Sequence, residues 1–401
     1  MKAIVFGGPG DVRVDETRDP ELEESTDAIV RVTASAICGF DLRIARGEVP
    51  DMLPGTILGH EGVGVIEDLG EDIRNFQIGD RVLLCPTLAC GACHQCGRGH
   101  YAHCERANPN GAAFGPAMFG GPAASGPFHG LLAEYARVPL AHTTMLHLPE
   151  EIGDADGLLL TDAIPTGLFG VRLTRLSPGQ SLAVFGCGPI GQQAITCAQR
   201  AGAGRIFAID GMESRLDAAR ERGAEAIDME AEDPVQVLRD LTKGAGVDCV
   251  INAVPIDALP ARFGDPLAAS PLTSPAGDTL DSSLLDILER LRPVDEAPFD
   301  LAAQAFAWST AAAATSGTVA VLCFHPGQVR HFPLMAALRK NLTLRLGTCH
   351  HRKYLPRLIE KFQRGTWWER SPRHRVPDVL RDQGDGDSFF EQRLFEMSPW
   401  D

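Results

Sequence analysis

Cysteines at positions 90, 93, 96 and 104, with gaps of two, two and seven residues, put four soft ligands in one short stretch. Four thiolates close a tetrahedral shell around zinc and leave no open position, so such a group braces a loop and performs no chemistry. A different pair lies upstream: Cys38 in Ala36-Ile-Cys-Gly-Phe-Asp-Leu42, and His60 in Gly59-His-Glu-Gly-Val-Gly64. Taken singly, Cys38 reads as a small buried residue and His60 as a hydrogen-bonded core histidine. Taken together, with Glu61 beside the histidine, they are the mixed ligands of a catalytic zinc that keeps one position open. Asp41 is then placed either to orient a ligand imidazole or to cap a turn. A third stretch suits a nucleotide. The apolar run Ser181-Leu-Ala-Val-Phe185 ends in Gly186-Cys-Gly188-Pro189-Ile190-Gly191, and a helical pattern follows to Arg200. Glycines in that frame allow a tight turn and let a pyrophosphate approach the free N–H groups of a helix N-terminus. Asp210 closes the next strand, Arg205-Ile-Phe-Ala-Ile209, about 20 residues on. A carboxylate there accepts hydrogen bonds from ribose hydroxyls and repels a 2′-phosphate, which favours NAD over NADP, and Arg215 nearby softens the preference.

These residues need rigid elements to hold them. The start, Met1 to Gly7, reads as a first strand, too short an apolar run for a signal peptide. Ile29–Ala34, Gly62–Leu69 and Arg81–Cys85 are β-branched or alternating runs bounded by turn formers, and Leu132–Val138 returns to strand. Between them, residues 105–130 are rich in Gly, Pro and Ala and predict a long irregular loop. From about residue 151 the pattern becomes β/α. Val247–Asn252, Thr318–Cys323 and Leu342–Leu346 read as buried parallel strands. Residues 255–316 interrupt them and read as an insertion with helices at Leu280–Leu291 and Phe299–Ala314, and Tyr354–Phe362 is an amphipathic helix.

A chain of 401 residues has room for two domains. Its net charge of −16 argues against nucleic acid as a partner, and no stretch reads as a membrane span. Eleven cysteines in a chain of this length suit a reducing cytoplasm in which some bind metal.

The four-cysteine lobe, Gly59-His-Glu-Gly62, Gly79-Asp-Arg-Val82 and the Gly186–Gly191 loop, in that order, resemble the zinc-dependent medium-chain alcohol dehydrogenases. Within them the likeness is nearest to the polyol, threonine and glutathione-independent formaldehyde dehydrogenases. The resemblance implies an α/β architecture. It comprises a GroES-like β-rich catalytic domain over 1–152, with the zinc lobe at about 85–105, and a Rossmann domain with a doubly wound parallel sheet over 153–348. Residues 349–401 then return to the catalytic domain with an atypical tail. It implies two zincs per chain. One is structural, on Cys90, Cys93, Cys96 and Cys104; one is catalytic, on Cys38, His60 and Asp162, the residue ahead of Pro165-Thr-Gly167, with Glu61 as an occasional ligand. It further implies NAD contacts at Thr166, the glycine loop, Asp210 and Arg215, an alcohol or aldehyde as substrate, and a homo-oligomer, dimer or tetramer. Three departures stand out. Phe40 replaces the hydroxyl residue that passes the alcohol proton outward, Arg43 replaces a relay histidine, and no closing hairpin is recognisable after residue 365. Phe40 also puts an apolar wall beside the metal, which predicts apolar or aromatic alcohols. Two other functions fit the same motifs: an NAD-binding zinc protein without turnover, and an aldehyde dismutase with tightly held NAD.

Overall fold

The computed structural model describes residues 1–111, 114–254, 301–322, 332–367 and 379–381, with backbone alone at 301–303 and 379–381. The chain divides into one unit of Met1–Phe169 with Thr348–Asp401 and a second of Gly170–Gly347. The division falls beyond the expected boundary at 152/153. The helix Asp154–Thr161 packs on the first unit's sheet and buries Leu158 and Leu160 there.

The first unit holds β1 (Lys2–Gly8), β2 (Asp11–Glu16), β3 (Ala28–Ala36), β4 (Thr56–Ile57), β5 (Glu61–Leu69), β6 (Arg81–Leu84), β7 (Tyr135–Val138) and β8 (Met145–His147). All pair antiparallel. β2-β1-β4 form a small sheet; β3, β5, β6 and β8 follow one another in a larger one, with β7 also on β3. Val30, Ile66, Val82, Leu84, Leu131 and Val138 supply its buried apolar core. The register Ala36↔Glu61 matters for chemistry, because the end of β3 lies beside the start of β5. Cys38, just past β3, and His60, just before β5, therefore emerge at the same end of the sheet. The loop 105–130 is mostly irregular, yet it is not a loose surface insertion: Ala117, Met118 and Phe119 are buried.

The second unit is built on β9 (Leu182–Phe185), β10 (Ile206–Asp210), β11 (Glu225–Asp228), β12 (Val247–Asn252), β13 (Ala313–Val321) and β14 (Thr343–Leu346). All are parallel, in the order β11-β10-β9-β12-β13-β14, which reverses direction between β9 and β12. This is the doubly wound dinucleotide-binding order, with its crevice at the carboxyl ends of the two strands flanking the reversal. β9 is buried on both faces, hence its unbroken apolar run, and β12 is buried but for Asp248 near its start.

Two expectations need correction. The proposed insertion does not extend to 316: residues 301–312 form a helix whose Ala305, Trp308 and Ala312 are buried against the sheet, and β13 begins at Ala313. It is a crossover helix of the parallel sheet, read as an insertion because its alanine-rich sequence carries no polar stripe. The expected helix at 280–291 lies outside the described residues. The return of the tail to this unit was expected, but not the strand that makes it: β15 (Val379–Arg381) pairs antiparallel with β3 through Val379↔Ala36, a three-residue strand too short to leave a periodic signal. Among the described residues no helix is long and apolar enough to cross a membrane.

Candidate metal centre and nucleotide loop

Asp41 ties the first two candidate ligands together. Cys38 is the N-cap of the helix Gly39–Ala45, and its backbone N–H donates to Asp41 Oδ2 at 2.8 Å in a capping box. Gly59 N–H donates to Asp41 Oδ1 at 3.1 Å. Both carboxylate oxygens are thus engaged with the backbones that carry Cys38 and His60. Of the two roles open to Asp41, it fills the capping one and steadies His60 through the chain rather than through the imidazole. Gly59 sits at φ +92°, and a Cβ there would lie 2.6 Å from Leu132 Cγ, so only glycine fits this close approach.

The third candidate ligand comes from a break in the backbone. Asp162, at φ −128° and ψ −56°, interrupts the helices Asp154–Thr161 and Ala163–Thr174. Pro165 in the first turn of the second helix has no N–H to lose there. One ligand atom each from Cys38, His60, Glu61 and Asp162 falls within 4.8 Å of every other. His60 Nε2 is 3.8 Å from Asp162 Oδ2 and 3.9 Å from Glu61 Oε1. Metal–ligand bonds of about 2.0–2.3 Å span such a group. Burial pushes the Cys38 thiol up to about 11, against the pull of His60. Burial and the Asp162 charge push Glu61 up to about 8. His60 is drawn well above its ordinary value despite burial, because Asp162 and Cys38 stabilise its cation. A soft thiol, an imidazole and carboxylates are the donors zinc accepts, and a bound cation would draw Cys38 and Glu61 into their ionised forms.

Neither departure from the usual proton path is softened by the fold. Phe40 lies edge-on to the His60 ring with centroids 6.1 Å apart, as an apolar wall. Arg43 is largely buried, with Nε 3.4 Å from Glu48 Oε2.

Sequence reasoning overlooked His351. At the first turn of the helix His351–Gln363, its Nε2 lies 2.7 Å from Asp162 Oδ1. Thr166, expected among the cofactor contacts, donates its hydroxyl to that same oxygen at 2.7 Å. The doublet His350-His351 was the available signal, but nothing local marks it, since its partner is 189 residues away.

The four-cysteine lobe is closed and dry. Cys90, Cys93, Cys96 and Cys104 are all buried, and their sulfurs gather within 4.8 Å of one another. Cys96 N–H donates to Cys93 Sγ at 3.5 Å and Cys90 N–H to Cys104 Sγ at 3.2 Å, the amide support that thiolate ligands need. His350 docks on this lobe. Its ring stacks on His100 at 5.3 Å and meets His103 edge-on at 5.5 Å, and Ala102 N–H points to its Nδ1 at 3.4 Å. Burial and the neighbouring imidazoles push His350 down to about 4. The unfolded chain, with an ordinary value of about 6.5, therefore binds this proton first, and the fold loses stability as pH falls from about 6.5 to about 4. With its partial exposure allowed for, chemical denaturation at about pH 7.5 and pH 5 should show the wild type losing about 1 kcal/mol more than His350→Gln.

In the second unit, Gly186 takes φ +85°, and a Cβ on Gly191 would lie 2.0 Å from the Gly186 carbonyl oxygen. A Cβ on Gly188, by contrast, would meet nothing within 4 Å, which leaves the approach to the N-terminus of the helix Pro189–Arg200 open. Pro189 opens that helix, and Ile190 follows it. Asp210 fastens the loop: it accepts from Cys187 N–H at 2.7 Å and from Met212 N–H at 3.0 Å, with Arg215 Nη1 at 3.5 Å.

Comparison with known proteins agrees with this geometry. Residues 24–150 match the alcohol dehydrogenase GroES-like domain, and residues 189–262 match the zinc-binding dehydrogenase domain. A zinc-type alcohol dehydrogenase-like protein of Schizosaccharomyces pombe is 32% identical over 374 residues, covering 91% of this chain and 82% of that protein. The chain belongs to the zinc-type alcohol dehydrogenase family. The solved alcohol dehydrogenase of Thermus sp. ATN1 superposes on this family member with a TM-score of 0.71 at 31% identity, over 91% of this chain and 89% of that one. A glutathione-independent formaldehyde dehydrogenase of Pseudomonas aeruginosa is 31% identical to it over 274 residues, 64% of this chain and 66% of that enzyme. This zinc-type dehydrogenase is accordingly an oxidoreductase.

Proposed function

We propose that the chain transfers hydride between an alcohol or aldehyde and NAD at a zinc held by Cys38, His60 and Asp162, with Glu61 in reserve. The observation that carries this reading is the convergence of those four side chains within 4.8 Å. When bound, zinc supplies Lewis acidity toward the substrate oxygen and NAD supplies the hydride acceptor or donor. The protein's own part is positional. Asp41 fixes the loops bearing Cys38 and His60, and Phe40 walls the site with apolar surface. Phe40 supports apolar or aromatic alcohols as substrates. With Arg43 in its ion pair and Phe40 unable to carry a proton, water or another group takes the substrate proton. Asp210, ending β10 beside the glycine loop, supports NAD over NADP. Cys90, Cys93, Cys96 and Cys104 would hold a second, structural zinc. A homo-oligomer in the cytoplasm remains part of the proposal.

The test pairs metal analysis with turnover. Zinc per chain on freshly purified protein is expected to be two, with NAD-linked oxidation of aromatic alcohols that a chelator abolishes. One zinc per chain and no turnover across an alcohol and aldehyde panel would instead favour a nucleotide-binding zinc protein without catalysis. Cofactor that survives gel filtration would favour the dismutase.

A further inference from the structure

A cysteine ligand offers a metal one atom, whereas an aspartate offers two that exchange by rotation about one bond. Asp162 therefore needs something to choose between its oxygens, all the more because it stands at a helix break. Its surroundings make that choice. Oδ1 receives the His351 ring at 2.7 Å from Nε2 and the Thr166 hydroxyl at 2.7 Å. Oδ2 is the oxygen that lies 3.8 Å from His60 Nε2, on the side of the ligand set. The His351 ring is itself held. It is 4% exposed, with Thr87 Oγ1 3.4 Å from Nδ1 and Thr166 Oγ1 3.3 Å from Nε2. A Thr87 hydroxyl donating to Nδ1 puts the ring proton on Nε2, where it points at Asp162. Burial pushes the Asp162 carboxyl up, yet His351 and His60 together hold it well below the ordinary carboxylate range.

We propose that His351 is a positioning residue: it engages Oδ1 of Asp162, presents Oδ2 alone to the metal, and so sets how tightly the Cys38–His60–Asp162 set retains zinc. The proposal rests on the reading of that set as a zinc site. It also explains why the helix bearing His351 is anchored to the cysteine lobe through His350. Displacement of the helix would release the carboxylate.

The test measures zinc rather than turnover. Full-length wild type, His351→Leu, His351→Gln and Thr166→Val are titrated with a chromophoric chelator, and the four-cysteine zinc serves as internal reference. Cobalt substituted at the weaker site reports ligand geometry through its visible spectrum. Loss of such a partner weakens metal binding by about 10–100-fold. His351→Leu, similar in size but without a donor, should lose that much at the weaker site and shift the cobalt bands, with the cysteine-lobe zinc unchanged. His351→Gln, whose amide N–H can reach Oδ1, should recover most of the affinity. Affinity of His351→Leu within twofold of wild type, or of His351→Gln no better than His351→Leu, overturns the proposal. Should His351→Leu shed the lobe zinc as well, it is misfolded, and the near-isosteric Thr166→Val decides: a severalfold loss supports the clamp on Oδ1, and no change overturns it. A wild type with zinc in the cysteine lobe only would overturn the zinc-site reading itself, and is told apart by the metal count.

Discussion

Exchange of Cys38 for serine is expected to lower NAD-linked kcat/KM by about a thousandfold or more and to remove one zinc per chain, while the protein stays folded. The backbone at Cys38 does not depend on its sulfur, because Asp41 caps the helix through the Cys38 N–H at 2.8 Å and reaches Gly59 with its other oxygen. The sulfur itself is costly to ionise, its thiol pushed up to about 11 by burial, so the thiolate is present only with a cation beside it. A serine hydroxyl in that place ionises far less readily and is a poorer zinc ligand. Lewis-acid assistance contributes several kcal/mol to such a reaction, and loss of about 4 kcal/mol is about a thousandfold in rate. Steady-state kinetics with elemental analysis on the same preparation decide the matter. A serine variant that has lost a zinc yet keeps activity within tenfold of wild type would mean that hydride transfer needs no metal.

The second large effect belongs to the cysteine lobe and is one of stability. Cys96→Ala should release the other zinc and lower Tm by about 10 °C or more. The four sulfurs sit in a dry cluster beside Leu88, Ala89 and Met145, where burial and the neighbouring sulfurs hold the Cys96 thiol well above its ordinary value. Without a cation these sulfurs are buried and weakly bonded; with one they become ligands of a bond network. Structural zinc sites supply about 10–16 kcal/mol in peptides that fold around them. If about 4 kcal/mol of that is lost from a preformed lobe, Tm falls by about 2–4 °C per kcal/mol. The sign with pH follows from the ligands: acid protonates thiolates, so zinc leaves as pH falls. The lobe also carries His100 and His103, against which His350 packs, so its loosening should weaken the neighbouring catalytic set. Scanning calorimetry that finds Cys96→Ala melting within 2 °C of wild type, with two zincs retained, would sink this account.

The two kinds of site differ in how far the amino-acid order reveals them. Cys90, Cys93, Cys96 and Cys104 are near neighbours in sequence that gather in the fold, so their spacing nearly gives their geometry. Gly186–Gly191 is likewise local, a strand end, a turn and a helix start, and the roles of its glycines follow from backbone sterics. β9, β10 and β12 were legible because strands buried on both faces are mostly apolar along their length. The helix Leu301–Ala312 was expected, at Phe299–Ala314, but was assigned to an insertion, because buried on most sides it has no polar stripe to show which face meets the sheet. β15 was missed because a three-residue strand is defined by its partner and not by its own pattern.

What the amino-acid order offered alone is therefore the chemistry available and its local frames: a four-cysteine lobe, a dinucleotide turn with Asp210 after it, and Cys38 and His60 as candidate ligands, with Asp162 added only by the family resemblance. Tertiary structure decided which of them meet. The antiparallel register Ala36↔Glu61 brings Cys38 and His60 to one sheet end, Asp41 spends itself on their backbones, and Thr166 turns to Asp162. His351 joins Asp162 across 189 residues. A hydrogen bond between side chains so far apart leaves no periodicity in either segment. It depends on packing summed over the whole chain, and only the folded protein displays it.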